Sequence, residues 1–191
     1  MLLSFSVENY LSIRDRQTLD LRRVGDGTVS RLAIDGEPAG AVATPVAVIC
    51  GANASGKSNL LDAMDYVQWL VRNSARREAG DPLPTRPFLL DAESKDRPFA
   101  CSFRFMTAGR EFSYAFSLHN GRVTGEELRE TTQGTVRRST RTLFSRQTDG
   151  NTANVTTSEA LRGPKKAIIA ATRPNSLFLS KAAQENFAPL L

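Results

Sequence analysis

Apolar and polar residues alternate from the start of the chain. Leu3, Phe5 and Val7 interleave with Ser4 and Ser6, which predicts a strand that breaks at Glu8-Asn9-Tyr10. Leu19 and Leu21 among polar neighbours predict a second strand, followed by a turn-rich piece at Gly25-Asp26-Gly27. Residues 45–50, Pro-Val-Ala-Val-Ile-Cys, form a continuous apolar run. That pattern predicts a parallel strand buried on both faces. Just beyond it the period becomes helical: Leu60, Leu61, Met64, Val67, Leu70 and Val71 recur at spacings of three and four, separated by Asp62, Asp65, Gln68 and Arg72.

Residues 73–98 carry Pro82, Pro84, Pro87 and Pro98 among many charges and read as a proline-rich loop. From 99 the alternation returns. Phe99, Cys101, Phe103 and Phe105 share one face, and Phe112, Tyr114, Phe116 and Leu118 share another, with a turn at Thr107-Ala108-Gly109-Arg110. Asn120-Gly121 is a strong hairpin signal leading to a third strand near 122–130, and Gln133-Gly134 and Asp149-Gly150 mark further turns. Residues 99–157 therefore predict an antiparallel meander. Beyond it come a short helix over Lys165 to Thr172 stopped by Pro174, a short strand over Ser176 to Ser180, and an ambiguous Lys181 to Phe187. The expected organisation is thus four pieces: 1–72, 73–98, 99–157 and 158–191.

Composition changes this picture little. The chain has 191 residues, 40% hydrophobic and 24% charged, as a globular domain does, which excludes collagen-like and wholly disordered classes. No run of about 18 apolar residues exists to span a membrane, and the opening MLLSFSVENY lacks signal-peptide features. Cys50 and Cys101 both lie in apolar runs, which predicts reduced core thiols and a cytoplasmic setting. The net charge of +5, mostly from arginine, leans toward phosphate-bearing partners.

The chemistry sits in Gly51-Ala52-Asn53-Ala54-Ser55-Gly56-Lys57-Ser58, a full match to G-x-x-x-x-G-K-[ST] between an apolar run and an amphipathic helix. Gly51 and Gly56 are expected to let the backbone turn with positive φ and approach phosphate oxygens closely. Successive N–H groups then form an anion nest at the start of the helix. Lys57 would meet the β- and γ-phosphates, and the Ser58 hydroxyl would ligate Mg²⁺. No aspartate is followed three residues later by glycine and no asparagine directly by lysine, which argues against a GTPase.

The opening Phe5 to Ile13, the loop GANASGKSNLLDAM and its place near residue 50 resemble the SMC/RecF/OLD group of ABC-class ATPases. Within that group the chain is most similar to the AAA-15/AAA-21 type ATP-binding proteins, often found in bacterial anti-phage systems. Arg86 to Asp91, the meander from Phe99 and Asn175 to Ser180 also fit. The resemblance implies an α/β fold: the N-terminal lobe of a P-loop NTPase (ABC/SMC-like) with an antiparallel β-meander subdomain. It implies ATP and Mg²⁺ as cofactors, with Asn53, Ala54, Ser55, Gly56, Lys57, Ser58 and Asn59 around the phosphates, and Lys57 as a catalytic residue. It places Ser12 near the nucleotide, although Leu11 stands where the family carries a basic residue. It offers Gln184, after the 177–180 segment, as a Q-loop glutamine serving Mg²⁺ and the attacking water; an ordinary polar residue on a terminal helix is the alternative.

ABC-class catalysis also needs a Walker B acidic pair and a signature loop. Phe88-Leu89-Leu90-Asp91 imitates a Walker B strand but has Ala92 where the glutamate belongs, with Glu93 next, and no signature-like Leu-Ser-Gly-Gly occurs. The expectation is half of an ATPase head, a fragment or one part of a split protein, binding nucleotide but hydrolysing almost none alone. Assembled, it would dimerise through ATP-sandwiched heads and switch an effector, such as a nuclease, or a DNA-acting partner. The alternative is a DNA-binding module with a residual nucleotide site, using Arg129, Arg137, Arg138, Arg141 and Arg146, although a solvated edge-sheet face is the favoured reading of these arginines. A small P-loop kinase is a third option; its lone His119 lies beside a hairpin turn.

Overall fold

A computed structural model describes residues 1–22, 43–44, 46–133, 138–149, 152–187 and 190. The turns proposed at Gly25-Asp26-Gly27, Gln133-Gly134 and Asp149-Gly150 fall wholly or partly outside these residues, as does Arg137. One sheet dominates. Its strands are β1 (Leu2–Glu8), β2 (Gln17–Asp20), β3 (Phe99–Thr107), β4 (Arg110–His119), β5 (Arg122–Gln133), β6 (Arg138–Asp149) and β7 (Thr152–Thr157). Their order is β2-β1-β3-β4-β5-β6-β7, and every pairing is antiparallel. The mixed α/β fold is of the kind a P-loop family uses.

The meander forms because its alternation is uninterrupted and its turns supply the required conformations. Ala108 and Gly109 (φ 48° and 70°), then Asn120 and Gly121 (φ 50° and 71°), give two tight hairpins with both central residues left-handed. Gly121 has a second constraint. A Cβ there would lie 2.5 Å from Pro82 Cβ and 2.9 Å from its Cα, because the hairpin tip is pressed against the loop below it.

Helix α1 (Lys57–Asn73) packs on the sheet through Ala63, Tyr66, Val67 and Leu70, with Leu60, Met64 and Val71 at the margin of the core. Leu61 belongs to the opposite face and is 57% exposed. Tyr66 stacks on Tyr10 at 5.3 Å and meets Phe99 edge-on at 5.5 Å, joining helix, β1 end and β3. Short helices α2 (Lys165–Ala171) and α3 (Phe178–Gln184) complete the core with Ile168, Phe178 and Ala182.

Three expectations are corrected. Residues 46–50 form no strand: Val46 and Val48 are 74% and 82% exposed, and Cys50 is exposed rather than a core thiol. A strand needs a ladder partner, and both sides of β1 are already taken by β2 and β3. Cys101 is buried, and desolvation pushes its thiol well above the ordinary range. Residues 176–180 do not form a strand either, because α3 begins inside them. Leu177 is extended, and the next two N–H groups, of Phe178 and Leu179, donate to the buried Glu126 carboxylate at 2.7 and 2.9 Å. A carboxylate from β5 thus starts this helix.

Candidate nucleotide site

The loop at 51–58 leads into α1, and its backbone follows from a few residues. Gly56 is the N-cap of α1 at φ 88°, ψ 6°. The other left-handed residue is Ala54 (φ 62°), not Gly51. Gly51 is needed for space instead, since a Cβ there would lie 2.9 Å from Ser55 Oγ. The first turn of α1 holds no acidic side chain and its cap makes no side-chain hydrogen bond. Its leading N–H groups and positive dipole end therefore stay available to an anion.

Lys57 lies across this loop. Its Nζ donates to Gly51 O at 2.9 Å, Ala52 O at 2.7 Å and Ser55 Oγ at 3.4 Å. These contacts are exposed, so the ammonium can exchange carbonyl oxygens for phosphate oxygens without being uncovered first. Asn53, Ala54, Ser55 and Ser58 are exposed as well. The donor set fits a nucleotide's polyphosphate: a glycine-permitted turn at a helix N-terminus, one set of exposed ammonium contacts at Lys57, and a hydroxyl at Ser58 for Mg²⁺. Among the described residues no cluster of three or more His, Cys, Asp or Glu could hold a metal by itself.

The N-terminal hairpin delivers Ser12 to this loop. Tyr10 and Ile13 exchange backbone hydrogen bonds at 2.8 and 2.7 Å, with Asn9 and Leu11 left-handed at φ 53° and 48°. Ser12 at the tip accepts from Asn59 Nδ2 at 2.7 Å, and its Oγ lies 2.9 Å from where a Cβ on Gly56 would stand. Ser12, Gly56 and Asn59 thus come together at the start of α1, next to Lys57.

Gln184 does not join them. It is exposed on the last turn of α3 and accepts from Lys181 Nζ at 3.2 Å. Helix α3 is tied to the far end of α1, where Ser74 Oγ accepts from Leu177 N–H and Ser180 Oγ from Ala75 N–H, both at 3.1 Å. Seventeen residues of α1, about 25 Å, separate that end from the loop. Phe88 to Asp91 is no Walker B strand: Leu89 and Leu90 are exposed, and Asp91 caps a turn by accepting from Ser94 N–H at 2.6 Å. That bond, with Arg14 at 2.9 Å, holds its carboxyl below the usual range. His119 closes β4 opposite Arg122.

Of the meander arginines, Arg137 and the Arg138 side chain lie outside the described residues, and Arg129, Arg141 and Arg146 have partners within the chain. Arg129 pairs with Glu127 at 2.9 Å, and Arg141 with the buried Glu130 at 2.5 Å. Burial opposes ionisation of Glu130, yet bonds from Arg141 and Arg110 win and lower its carboxyl. Arg146 is fully buried; its guanidinium donates to Ser176 O at 2.5 Å and Arg173 O at 3.1 Å, and lies 3.7 Å from Glu126.

Residues outside the motif organise the surroundings. Asn9 is fully buried, donating to Ser94 O and Arg97 O and accepting from Phe88 N–H. Tyr10 OH donates to Asp62 on α1, to which Arg86 also donates at 3.0 Å. Burial first, and the Asp62 carboxylate second, raise the Tyr10 phenol. The available signal for Asn9 was a polar residue closing an apolar strand before a tight turn.

Residues 46–188 match the model of an AAA domain family, described as putative AbiEii toxin, type IV TA system. The match spans the loop, α1, the meander and both short helices. The chain belongs to this AAA domain family. No curated relative matches it. As a member of the AAA family it is an ATPase-type P-loop domain, and the loop at 51–58 lies within the matched residues. No helix among the described residues is long and apolar enough to cross a membrane.

Proposed function

We propose that this chain binds Mg-ATP at 51–58 as the N-terminal lobe of an SMC/RecF/OLD-like, ABC-class ATPase head. The observation that carries the reading is the convergence of the Gly56 N-cap, Lys57 and Ser12 at one helix end with no acidic residue to repel phosphate. Asn53 to Asn59 would hold the phosphates, Lys57 would neutralise charge on the β- and γ-groups, and Ser58 would contribute a ligand to Mg²⁺. The metal's part, when bound, is to screen the phosphate charge.

Hydrolysis then requires acidic and signature groups that no described residue brings to the loop. The exposed Val46, Val48 and Ile49, directly before the loop, support a surface that a further part of the head covers. Two such heads closing on ATP would switch an effector or DNA-acting partner, and the family description makes defence through a toxin–antitoxin system the setting to test first. The DNA-binding alternative has less to stand on, since Arg129 and Arg141 have acidic partners and Arg146 is buried.

Thermal unfolding with ligand tests the site. At a hundredfold excess over Kd, Mg-ATP should add about 2.7 kcal/mol, or roughly 5–10 °C for a chain of this size, and Mg-GTP less. Steady phosphate release by the 191-residue chain, abolished by Lys57→Ala, would contradict the incomplete-head reading.

A further inference from the structure

We infer that Asn59 is a positioning residue for the phosphates: by donating to Ser12 Oγ, it turns that hydroxyl's own proton toward the anion held at Gly56. The inference rests on reading 51–58 as a phosphate loop. A serine hydroxyl has one proton and two lone pairs. Asn59 Nδ2, at 2.7 Å, occupies a lone pair and leaves the proton to be donated elsewhere. No other hydrogen bond to Ser12 Oγ is present among the described residues.

The location decides where that proton can act. Ser12 Oγ is seated against Gly56, 2.9 Å from its missing Cβ, at the N-cap of α1. There the N–H groups of Lys57 and Ser58 have no acceptor among the described residues, Asn59 N–H being taken by Gly56 O, and the dipole is positive. Main-chain N–H groups and the Ser12 hydroxyl therefore meet at the N-cap, while the Lys57 ammonium lies across the same loop on Gly51 O and Ala52 O.

Ser12 is also held in place before any ligand arrives. The Tyr10–Ile13 backbone pair fixes the turn from one side, and Leu11 N–H donates to Arg86 O at 2.8 Å from the other. Asn59 supplies the remaining restraint from α1 itself, so the hydroxyl and the loop move together. A donor fixed in advance loses little freedom on binding.

The test is calorimetric titration of the full chain with Mg-ATP and, separately, with Mg-tripolyphosphate, which has no nucleoside. Ser12→Ala and Asn59→Ala should each weaken both ligands about tenfold, as expected for one hydrogen bond to a charged group. The double variant should stay near tenfold instead of reaching a hundredfold, because both changes remove one contact. Ser12→Thr, which keeps the hydroxyl, should restore affinity to within about threefold of wild type. Melting temperature of each variant separates these effects from loss of fold; Ser12 sits on an exposed turn, so Ser12→Ala remains informative if Asn59→Ala is unstable.

Single variants within about twofold of wild type, or fully multiplicative losses, would overturn the inference. So would a loss confined to Mg-ATP, which would put Ser12 on the nucleoside side. Lys57→Ala keeps the two readings apart. If it leaves Mg-ATP binding intact, the phosphate-loop reading fails; if it abolishes binding while Ser12→Ala and Asn59→Ala do not weaken it, only the positioning role fails.

Discussion

Replacing Asn9 by alanine should damage the fold more than its position in a turn suggests. Its side chain is fully buried and makes three good hydrogen bonds, to Ser94 O at 2.9 Å, to Arg97 O at 2.7 Å and from Phe88 N–H at 3.0 Å. Each is worth about 1 kcal/mol net. Asn9 also holds φ 53°, where asparagine is tolerated and alanine costs roughly a further 1 kcal/mol. Water reaching the partly buried 88–98 loop returns some of this, leaving about 3 kcal/mol. For a chain of this length that lowers Tm by roughly 6–12 °C, readable by circular dichroism or scanning fluorimetry. Asn9→Gly removes the conformational cost but not the lost bonds, so it should fall between wild type and alanine. Asn9→Asp keeps the acceptor for Phe88 N–H yet turns a carboxylate toward two carbonyls, and should be at least as harmful as alanine. A Tm for Asn9→Ala within 2 °C of wild type, or an Asn9→Asp variant of unchanged stability, would refute the reasoning.

Other expectations are open to simple measurement. Gly121→Ala meets both a left-handed φ and Pro82, so it should cost about 2 kcal/mol or more in urea unfolding, whereas Gly80→Ala, with φ 95° and nothing within 4 Å, should cost only about 1 kcal/mol. Glu126→Leu strips an acceptor from Tyr114 OH, from two α3 N–H groups and from buried Arg146, and should destabilise by about 3–5 kcal/mol, with Glu126→Gln milder because it keeps one acceptor oxygen. The lowered carboxyl of Asp91 contributes stability above the unfolded value of about 3.9 and loses it as pH falls through the folded value. Asp91→Asn should therefore flatten the acid limb of a Tm-against-pH curve and leave its neutral limb parallel to wild type.

What could be read from the chain was local. The alternation from Phe99 to Leu118, the Asn120-Gly121 turn, the 3.6-residue period of α1 and the glycine loop all report on neighbours within a few positions, and the structure follows them. What could not be read depended on distant partners. Residues 46–50 look like a buried strand, but burial needs a ladder partner that nothing in Val-Ala-Val-Ile specifies. Residues 176–180 look extended until Glu126, from β5, supplies an acceptor for the first N–H groups of α3.

The site divides the same way. Gly56 and Lys57 were legible as a motif, and Ser12 only through family likeness. Its contact with Asn59 spans 47 positions of sequence. Gln184 was placed by its order along the chain, and order does not encode that α3 docks at the far end of α1.

The central claim is that 51–58 is a working phosphate site in this chain. Isothermal titration of the purified 191-residue protein with Mg-ATP tests it most directly, alongside Lys57→Ala checked for an unchanged melting temperature. Saturable one-to-one binding that Lys57→Ala abolishes is the predicted result. Equal binding by both proteins, or no heat and no thermal shift with wild type at millimolar Mg-ATP, would contradict it.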